Sequence, residues 1–423
     1  MELRRASEVS RADFHLLRED PFWSRKGEPE SRVHRVHAYP AKFPAFIPSK
    51  ALQFAREEGI RVRRVADICC GCGTVAVEAK RNNIDFWGCD INPVATLIAR
   101  TKSSSFDSTR LSEYYLSIKS RVETAGRDPH LVAEARARLA YWYSVKQFRD
   151  LARILNAINQ VVPARSRYRS FFHCAFSNIL KSTSRWLTKS IKPQIDPDKK
   201  PLRPWHAFAK QYEMMKKAFE QNASSESSST QVLTANFLTL KSSPTDIDMI
   251  ITSPPYVTSY EYADLHQLSS LWLGYASDYR HLRSGSIGSS RHEIDLGTEI
   301  KRLNKVGSRI VFGLFGNDKS IARSTAKYFL DMQDVSQRCC DLLKKRGIAL
   351  FLIGNTEYKG VRVDNAAHLA ESLLRAGFSR VRVTKRRMSG KILTPYRDQV
   401  GQFSRSSEGR HVYGEEFVLV ATK

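Results

Sequence analysis

The chain has 423 residues and is 42% hydrophobic, enough for a packed core, which excludes a chain disordered throughout. It has no unbroken apolar run of about 18 residues, so no transmembrane helix is expected, and MELRRASEVSRADFHLLRED lacks an apolar signal region, which points to the cytoplasm. With 68 Lys and Arg against 43 Asp and Glu, the formal charge is +25, and the expected partner is a polyanion, most simply nucleic acid.

VRRVADI (62–68) reads as a buried strand that GCGT breaks, and VAVEAKRNN continues as a helix. IDFWGCDI reads as a second strand and NPVATLIARTKSS as a second helix. This βαβα order predicts a doubly wound parallel sheet. From about 103 to 231 the character changes. LVAEARARLAYWYSVKQFRDLARILNAINQVV and YRSFFHCAFSNILKSTSRWL carry helical apolar periodicity. KSIKPQIDPDKKPLRPWHAF reads as a Pro- and Lys-rich loop or arm, and QNASSESSST as a polar linker. The sheet resumes with TQVLTANFLTL and TDIDMIITSPPY, and HQLSSLWLGYASDY comes next as a helix. Residues 276–325 are rich in Ser, Gly and Arg and read as a loop-rich excursion. Then come a long helix, a Gly turn and a strand in AKYFLDMQDVSQRCCDLLKKRGIALFLIGNTEY. AAHLAESLLRAGFSRVRVTKRRM repeats helix, Gly and strand, and EEFVLVATK closes the chain as a strand.

The seven cysteines are odd in number and include adjacent residues, which argues against a disulfide framework. Cys69 and Cys72 form a CxxC with no second pair at zinc spacing, so no metal is expected.

ADICCGCGTVAVEA ends a strand on Asp67 and opens a helix after Gly71 and Gly73. Those glycines let the backbone approach a ligand closely, and the helix N-terminus faces it. Asp90, at the end of the second strand, is placed to accept both ribose hydroxyls of a nucleoside cofactor. This spacing fits NAD or S-adenosylmethionine; Ala76 stands where a dinucleotide fingerprint has its third glycine, which favours S-adenosylmethionine. In IITSPPYVTSYEYADL (250–265) a strand ends at Thr252, because Pro254 and Pro255 lack the amides that a central strand needs. Beyond that strand end the residues Ser253-Pro254-Pro255-Tyr256 form a stiff stub.

Asp67-Ile68-Cys69-Cys70-Gly71-Cys72-Gly73 resembles the cofactor loop of amino-methyltransferases, and Thr252-Ser253-Pro254-Pro255-Tyr256 resembles their catalytic motif. HAYPAKFPAFIPSKAL, with Lys42 and Phe43, resembles the segment preceding that loop in bacterial DNA methyltransferases, and KKRGIALFLIGNTEYKG the later strand that walls their target pocket. The family suggested is the site-specific DNA methyltransferases acting on exocyclic amines, notably the cytosine-N4 branch. The resemblance implies a Rossmann-like S-adenosylmethionine-dependent fold with a large helical insertion. It implies a cofactor site of Asp67, Cys69, Gly71, Gly73, Asp90, Asn236, Lys42 and Phe43, and a catalytic stub of Ser253, Pro254, Pro255 and Tyr256. Two positions depart from the family: Cys69 replaces a usual aromatic, and Asn236 a usual acid, although Asn still hydrogen-bonds an adenine amine.

An exocyclic amine is a poor nucleophile, because its lone pair is delocalised into the ring. The Ser253 hydroxyl and the Pro254 carbonyl, pre-aimed by proline, are acceptors that draw the nitrogen toward a tetrahedral shape. Tyr256 offers a face to a flipped base. Cytosine C5 chemistry needs a cysteine after proline, and no cysteine here follows one. Adenine-N6 enzymes more often carry Asp or Asn in place of Ser253. The implied organisation is 1–102 as N-terminal segment and cofactor half, 103–231 as a helical, target-reading insertion, and 232–423 as the catalytic half. DNA contacts are expected in ARSRYRS, KSTSRWLTKSIK, DKKPLRPWH, RSGSIGSSRHE (283–293) and KRRMSGKILTPYRD (385–398). His34 and His37 read as packing under the cofactor pocket or capping a turn. Double-stranded DNA is the expected partner, with a cognate restriction endonuclease as a functional one. The alternatives are an adenine-N6 enzyme, an RNA guanine-N2 methyltransferase and a non-enzymatic DNA-binding protein on a decayed enzyme fold.

Overall fold

The protein is seen in a computed structural model. It describes residues 4–5, 14–24, 27, 30–40, 42–127, 131–190, 192–221, 228–257, 261–288, 296–358, 360–387, 396–397, 410–411 and 416–423. The centre is a sheet of β1 (Arg64–Asp67), β2 (Asp85–Asp90), β3 (Thr230–Thr234), β4 (Ile247–Thr252), β5 (Leu343–Gly354), β6 (Arg380–Arg386) and β7 (Glu416–Thr422). Its spatial order is β6-β7-β5-β4-β1-β2-β3, with the pair Arg4–Arg5 on the outer edge of β6. β3, β2, β1, β4 and β5 run parallel, and β7 runs antiparallel to both β5 and β6. The expected doubly wound α/β fold is therefore present, with a sheet that turns mixed at one edge.

The central strands are buried on both faces, as βαβ crossovers require. In β5, Ile348 through Ile353 are at most 1% exposed. Helices α1 (Phe46–Glu57), α2 (Thr74–Arg81) and α3 (Pro93–Ser103) belong to the first half of the fold. Asn92 starts α3 by accepting the amides of Val94 (2.9 Å) and Ala95 (3.4 Å), and Pro93 sets the first helical φ.

Between β2 and β3 the chain builds α4 (Ser108–Thr124), α5 (Ala133–Trp142), α6 (Val145–Val161), α7 (Arg167–Ile179) and α8 (Pro204–Glu220). A capping box of Ser144 and Gln147 opens α6. Aromatic side chains fill the space between these helices: Phe171 lies against Phe106, Phe172 and Tyr212 at ring separations of 5.1, 5.3 and 6.2 Å. This cluster is continuous with Val94, Leu97 and Ile98 of α3 and with Leu268, Leu271 and Trp272 of α9 (Gln267–Trp272).

Four local expectations need correction. The Pro-rich arm is irregular only as far as Arg203. Pro204 opens α8, because proline suits a first helical position, and Phe208, Tyr212, Met215 and Phe219 give it a buried stripe. The excursion at 276–325 holds α10 (Lys305–Phe315) and the start of α11 (Lys319–Leu342). Its glycines and serines mask an apolar face of Val306, Ile310, Val311 and Leu314 that Asn304 caps. No glycine turn separates α11 from β5, which starts at the next residue; Arg346, at φ 65°, and Gly347 fall inside the strand where its register shifts. The closing strand is antiparallel. The last helix before it is α12 (Asn365–Arg375). Among the described residues no helix is long and apolar enough to cross a membrane. Most of the QNASSESSST segment, residues 222–227, lies outside the described residues.

Phe171 is fully buried, so Phe171→Ala should cost about 3–5 kcal/mol in urea denaturation. Because its cluster includes α3, the loss should appear in one cooperative transition. A separate early transition, or a loss below about 1 kcal/mol, would contradict the shared core.

Candidate functional site

The strand order reverses between β1 and β4: from β1 the chain moves outward through β2 to β3, and from β4 it moves the other way to β5. In open α/β sheets, ligands bind outside the carboxyl ends at such a point. Here those ends are Asp67 and Thr252. The Thr252 hydroxyl donates to Asp67 Oδ1 at 2.8 Å, and the Cys69 amide donates to the same oxygen at 3.2 Å. The Asp67 carboxyl is 3% exposed. Burial raises it to about 7, against the lowering effect of the Thr252 and Cys69 hydrogen bonds.

From Asp67 the loop turns tightly into α2. The Gly73 amide donates to the Cys70 carbonyl at 2.8 Å, and the Cys70 amide to the Cys89 carbonyl at 2.9 Å. Gly73 takes φ 77°, and a Cβ there would lie 2.7 Å from the Ala99 Cα, so both conformation and space demand glycine. Gly71 takes φ 47°, and its amide donates to Asp90 Oδ2 at 2.9 Å. Asp90 Oδ1 accepts the Asn92 amide at 2.8 Å. Burial raises the Asp90 carboxyl as well. Each of its oxygens keeps a lone pair beyond the amide it binds, so the carboxylate is still able to accept hydroxyls.

On the other side, the Ser253 hydroxyl donates to the Leu352 carbonyl of β5 at 3.0 Å. Pro254 is buried; Ser253, Pro255 and Tyr256 are half-buried. The Tyr256 hydroxyl donates to Glu416 Oε1 at 3.0 Å. Asp67, Cys69, Gly71, Gly73, Asp90 and the Ser253–Tyr256 stub thus gather at one end of the sheet.

The remaining expected residues are engaged in neighbouring ties. Asn236 accepts the Leu238 amide at 3.0 Å and donates to the Gly285 carbonyl at 3.1 Å, fastening an adjacent loop. Lys42 pairs with Glu30 at 2.7 Å, and Phe43 packs against the cluster holding Cys70 and Val75. His34 binds Glu78 at 2.7 Å. His37 bridges the Ala38 carbonyl (2.7 Å) and the Ser177 hydroxyl (2.9 Å), and burial lowers it to about 3, so it stays neutral. Both histidines are structural ties. Of the basic insertion residues, Arg169, Lys181 and Lys199 bond backbone carbonyls, whereas Lys189, Lys192 and Lys200 are exposed. In 283–293 and 385–398, residues 289–293, 388–395 and 398 lie outside the described residues.

Sequence reasoning missed an aromatic wall beside the glycine loop. Tyr39 stacks on His266 at 5.1 Å and on Tyr262 at 6.5 Å, and its hydroxyl is 3.5 Å from where a Gly71 Cβ would lie. His266 Nδ1 lies 2.9 Å from Asn92 Nδ2, which joins the wall to the Asp90 turn. Tyr39 was within reach, since it falls inside the HAYPAKFP stretch; His266 carries no local signal.

No protein-family model matches the chain. It is 21% identical over 369 residues to the Type II methyltransferase M.MvaI of Kocuria varians, an alignment spanning 80% of each protein. Two solved structures of the rRNA methyltransferase aviRa from Streptomyces viridochromogenes match over 85% of this chain and 96% of theirs, at 11% identity and a TM-score of 0.26. So low a score carries no argument.

The Asp67 carboxyl gives a pH test. Folded, it holds a proton up to about pH 7; an unfolded Asp releases it near pH 4. The folded state binds the extra proton between these values, so Asp67 makes stability fall as pH rises through that window and level off above it. Subtracting the profile of Asp67→Asn from that of wild type should isolate this slope. A flat difference would place Asp67 in the ordinary carboxylate range.

Proposed function

We propose that the protein is an S-adenosylmethionine-dependent methyltransferase acting on the exocyclic amine of a base flipped out of duplex DNA, with cytosine N4 as the target. The observation that carries this reading is the Thr252–Asp67 hydrogen bond, which sets a glycine loop with an acidic partner beside a Ser-Pro-Pro-Tyr stub. The similarity to a Type II methyltransferase and the +25 charge support it. The same similarity supports a place in a restriction–modification pair, with a cognate endonuclease as functional partner.

Asp90 and the Gly71–Gly73 loop fit the nucleoside end of the cofactor: two carboxylate oxygens with free lone pairs and backbone amides at a helix start. Cys69 is assigned to the same site, and Asn236, whose Oδ1 keeps a lone pair beyond the Leu238 amide, is assigned to the adenine amine. When bound, the cofactor supplies an electrophilic methyl on a sulfonium. Ser253 gives its only hydroxyl proton to Leu352, so toward a substrate its oxygen is an acceptor. With the Pro254 carbonyl it takes the two N–H groups of the amine and localises the lone pair on nitrogen. Preorganisation and alignment supply the acceleration. The nitrogen would gain the methyl as the methyl–sulfur bond broke, leaving the sulfonium as a neutral thioether, and the proton shed by the amine would pass to solvent. Tyr256 holds the flipped base by stacking, worth about 1–3 kcal/mol.

Two outcomes are expected. Asp90→Ala should weaken cofactor binding in calorimetry while DNA affinity stays near wild type; unchanged cofactor binding would end the ribose assignment. Ser253→Ala should slow single-turnover methylation by about 10²–10³, and nucleoside mass spectrometry of treated duplex DNA should show N4-methylcytosine. N6-methyladenine alone would change the target base and keep the mechanism. Methylated RNA with unmodified DNA would replace the substrate class, and full activity in Ser253→Ala would remove the mechanism.

A further inference from the structure

The stub is tied sideways across the sheet. Ser253 is bonded to β5, and Tyr256 is bonded one strand further, to Glu416 at the start of antiparallel β7. Glu416 faces Arg386, its register partner at the end of β6, and its second oxygen is paired with Arg386 Nε. Both side chains are withdrawn from water, at 13% and 5% exposure, and the guanidinium lies 5.6 Å from the Phe46 ring centre. An ion pair so placed is geometrically fixed, because either charge left alone would be poorly solvated. We infer that Glu416 and Arg386 are positioning residues for base capture: they hold the Tyr256 ring so that its face, and not its hydroxyl, meets the target base. This inference rests on the function proposed above.

The geometry also assigns what Tyr256 does not do. Its phenol hydrogen is already given to a carboxylate. Burial first, then Glu416, hold its ionisation well above the ordinary tyrosine range. Tyr256 is therefore a platform and not a base. A purely structural role for the pair, tying the sheet edge, would stabilise the fold without setting the ring.

Two measurements on the full chain separate these roles. In protein carrying ring-¹³C tyrosine, the Tyr256 signal is identified by its loss in Tyr256→Phe. Wild type should show a ring that flips slowly; Glu416→Ala should average it, and Glu416→Gln, which keeps an acceptor oxygen, should restore the wild-type pattern. A fast-flipping wild-type ring, or one indifferent to Glu416→Ala, overturns the inference. With tritiated S-adenosylmethionine and unmodified plasmid DNA, Glu416→Ala and Tyr256→Phe should each raise KM for DNA about tenfold, with kcat changed less than about twofold, and the double variant should be no worse than either. Tyr256→Phe removes one atom and leaves the ion pair intact, so it keeps the test valid if Glu416→Ala folds poorly. Losses that multiply to about a hundredfold, or that fall on kcat, overturn it. A slow ring in a protein that never methylates DNA overturns the proposed function and the capture role together, whereas methylation by a protein with a free ring overturns this inference alone.

Discussion

The 2.8 Å hydrogen bond from Thr252 to Asp67 is the contact on which the rest of the site depends. It joins the tips of two parallel neighbours whose chains then depart in different directions, one into a glycine turn and one into a proline-stiffened stub. Adjacent strands lie about 4.8 Å apart, so the bond sets the distance between glycine loop and stub by sheet geometry and not by loop conformation. It also explains why a carboxylic acid is tolerated there. Desolvation is offset because the acid accepts two hydrogen bonds and holds its proton up to near neutral pH.

The stub solves a second problem. A strand that simply continued past Thr252 would present amides seeking partners. Two prolines remove two of those amides, and the polar side chains on either side of them are bonded laterally, Ser253 to Leu352 and Tyr256 to Glu416. The mixed edge matters here. Because β7 runs against its neighbours, its first residue, Glu416, lies at the same end of the sheet as the last residues of β4, β5 and β6. A wholly parallel sheet would have brought a strand terminus of the other kind, and a different residue, to that position.

What was legible in the sequence was local. The Asp67–Gly73 turn, the acid at Asp90 and the double proline announce themselves within a few residues, because glycine and proline punctuate strands strongly. The lateral partners were not legible, since Leu352 is 99 positions from Ser253 and Glu416 is 160 from Tyr256. Lys42 and Asn236 were read through a family pattern, and their bonds to Glu30 and Gly285 depend on loops whose path no periodicity encodes. Helix α10 was hidden for a different reason: Gly307, Gly313 and two serines, Ser308 and Ser320 nearby, suggest a loop, and only the packing of Ile310 and Val311 against α11 and its surroundings overrides that propensity.

The hydrophobic interior of the insertion between β2 and β3 is continuous with one face of α3, the helix whose first turn neighbours Asp90. A protein engineer therefore inherits no clean seam along which to exchange the insertion for a foreign one. Cutting at 103 and 231 would leave Val94, Leu97 and Ile98 facing water, and the damage would reach the turn at Asp90 and the glycine loop bonded to it. Under the function proposed above, changing what the enzyme reads would mean repainting the insertion's outer surface while its inner face is left alone.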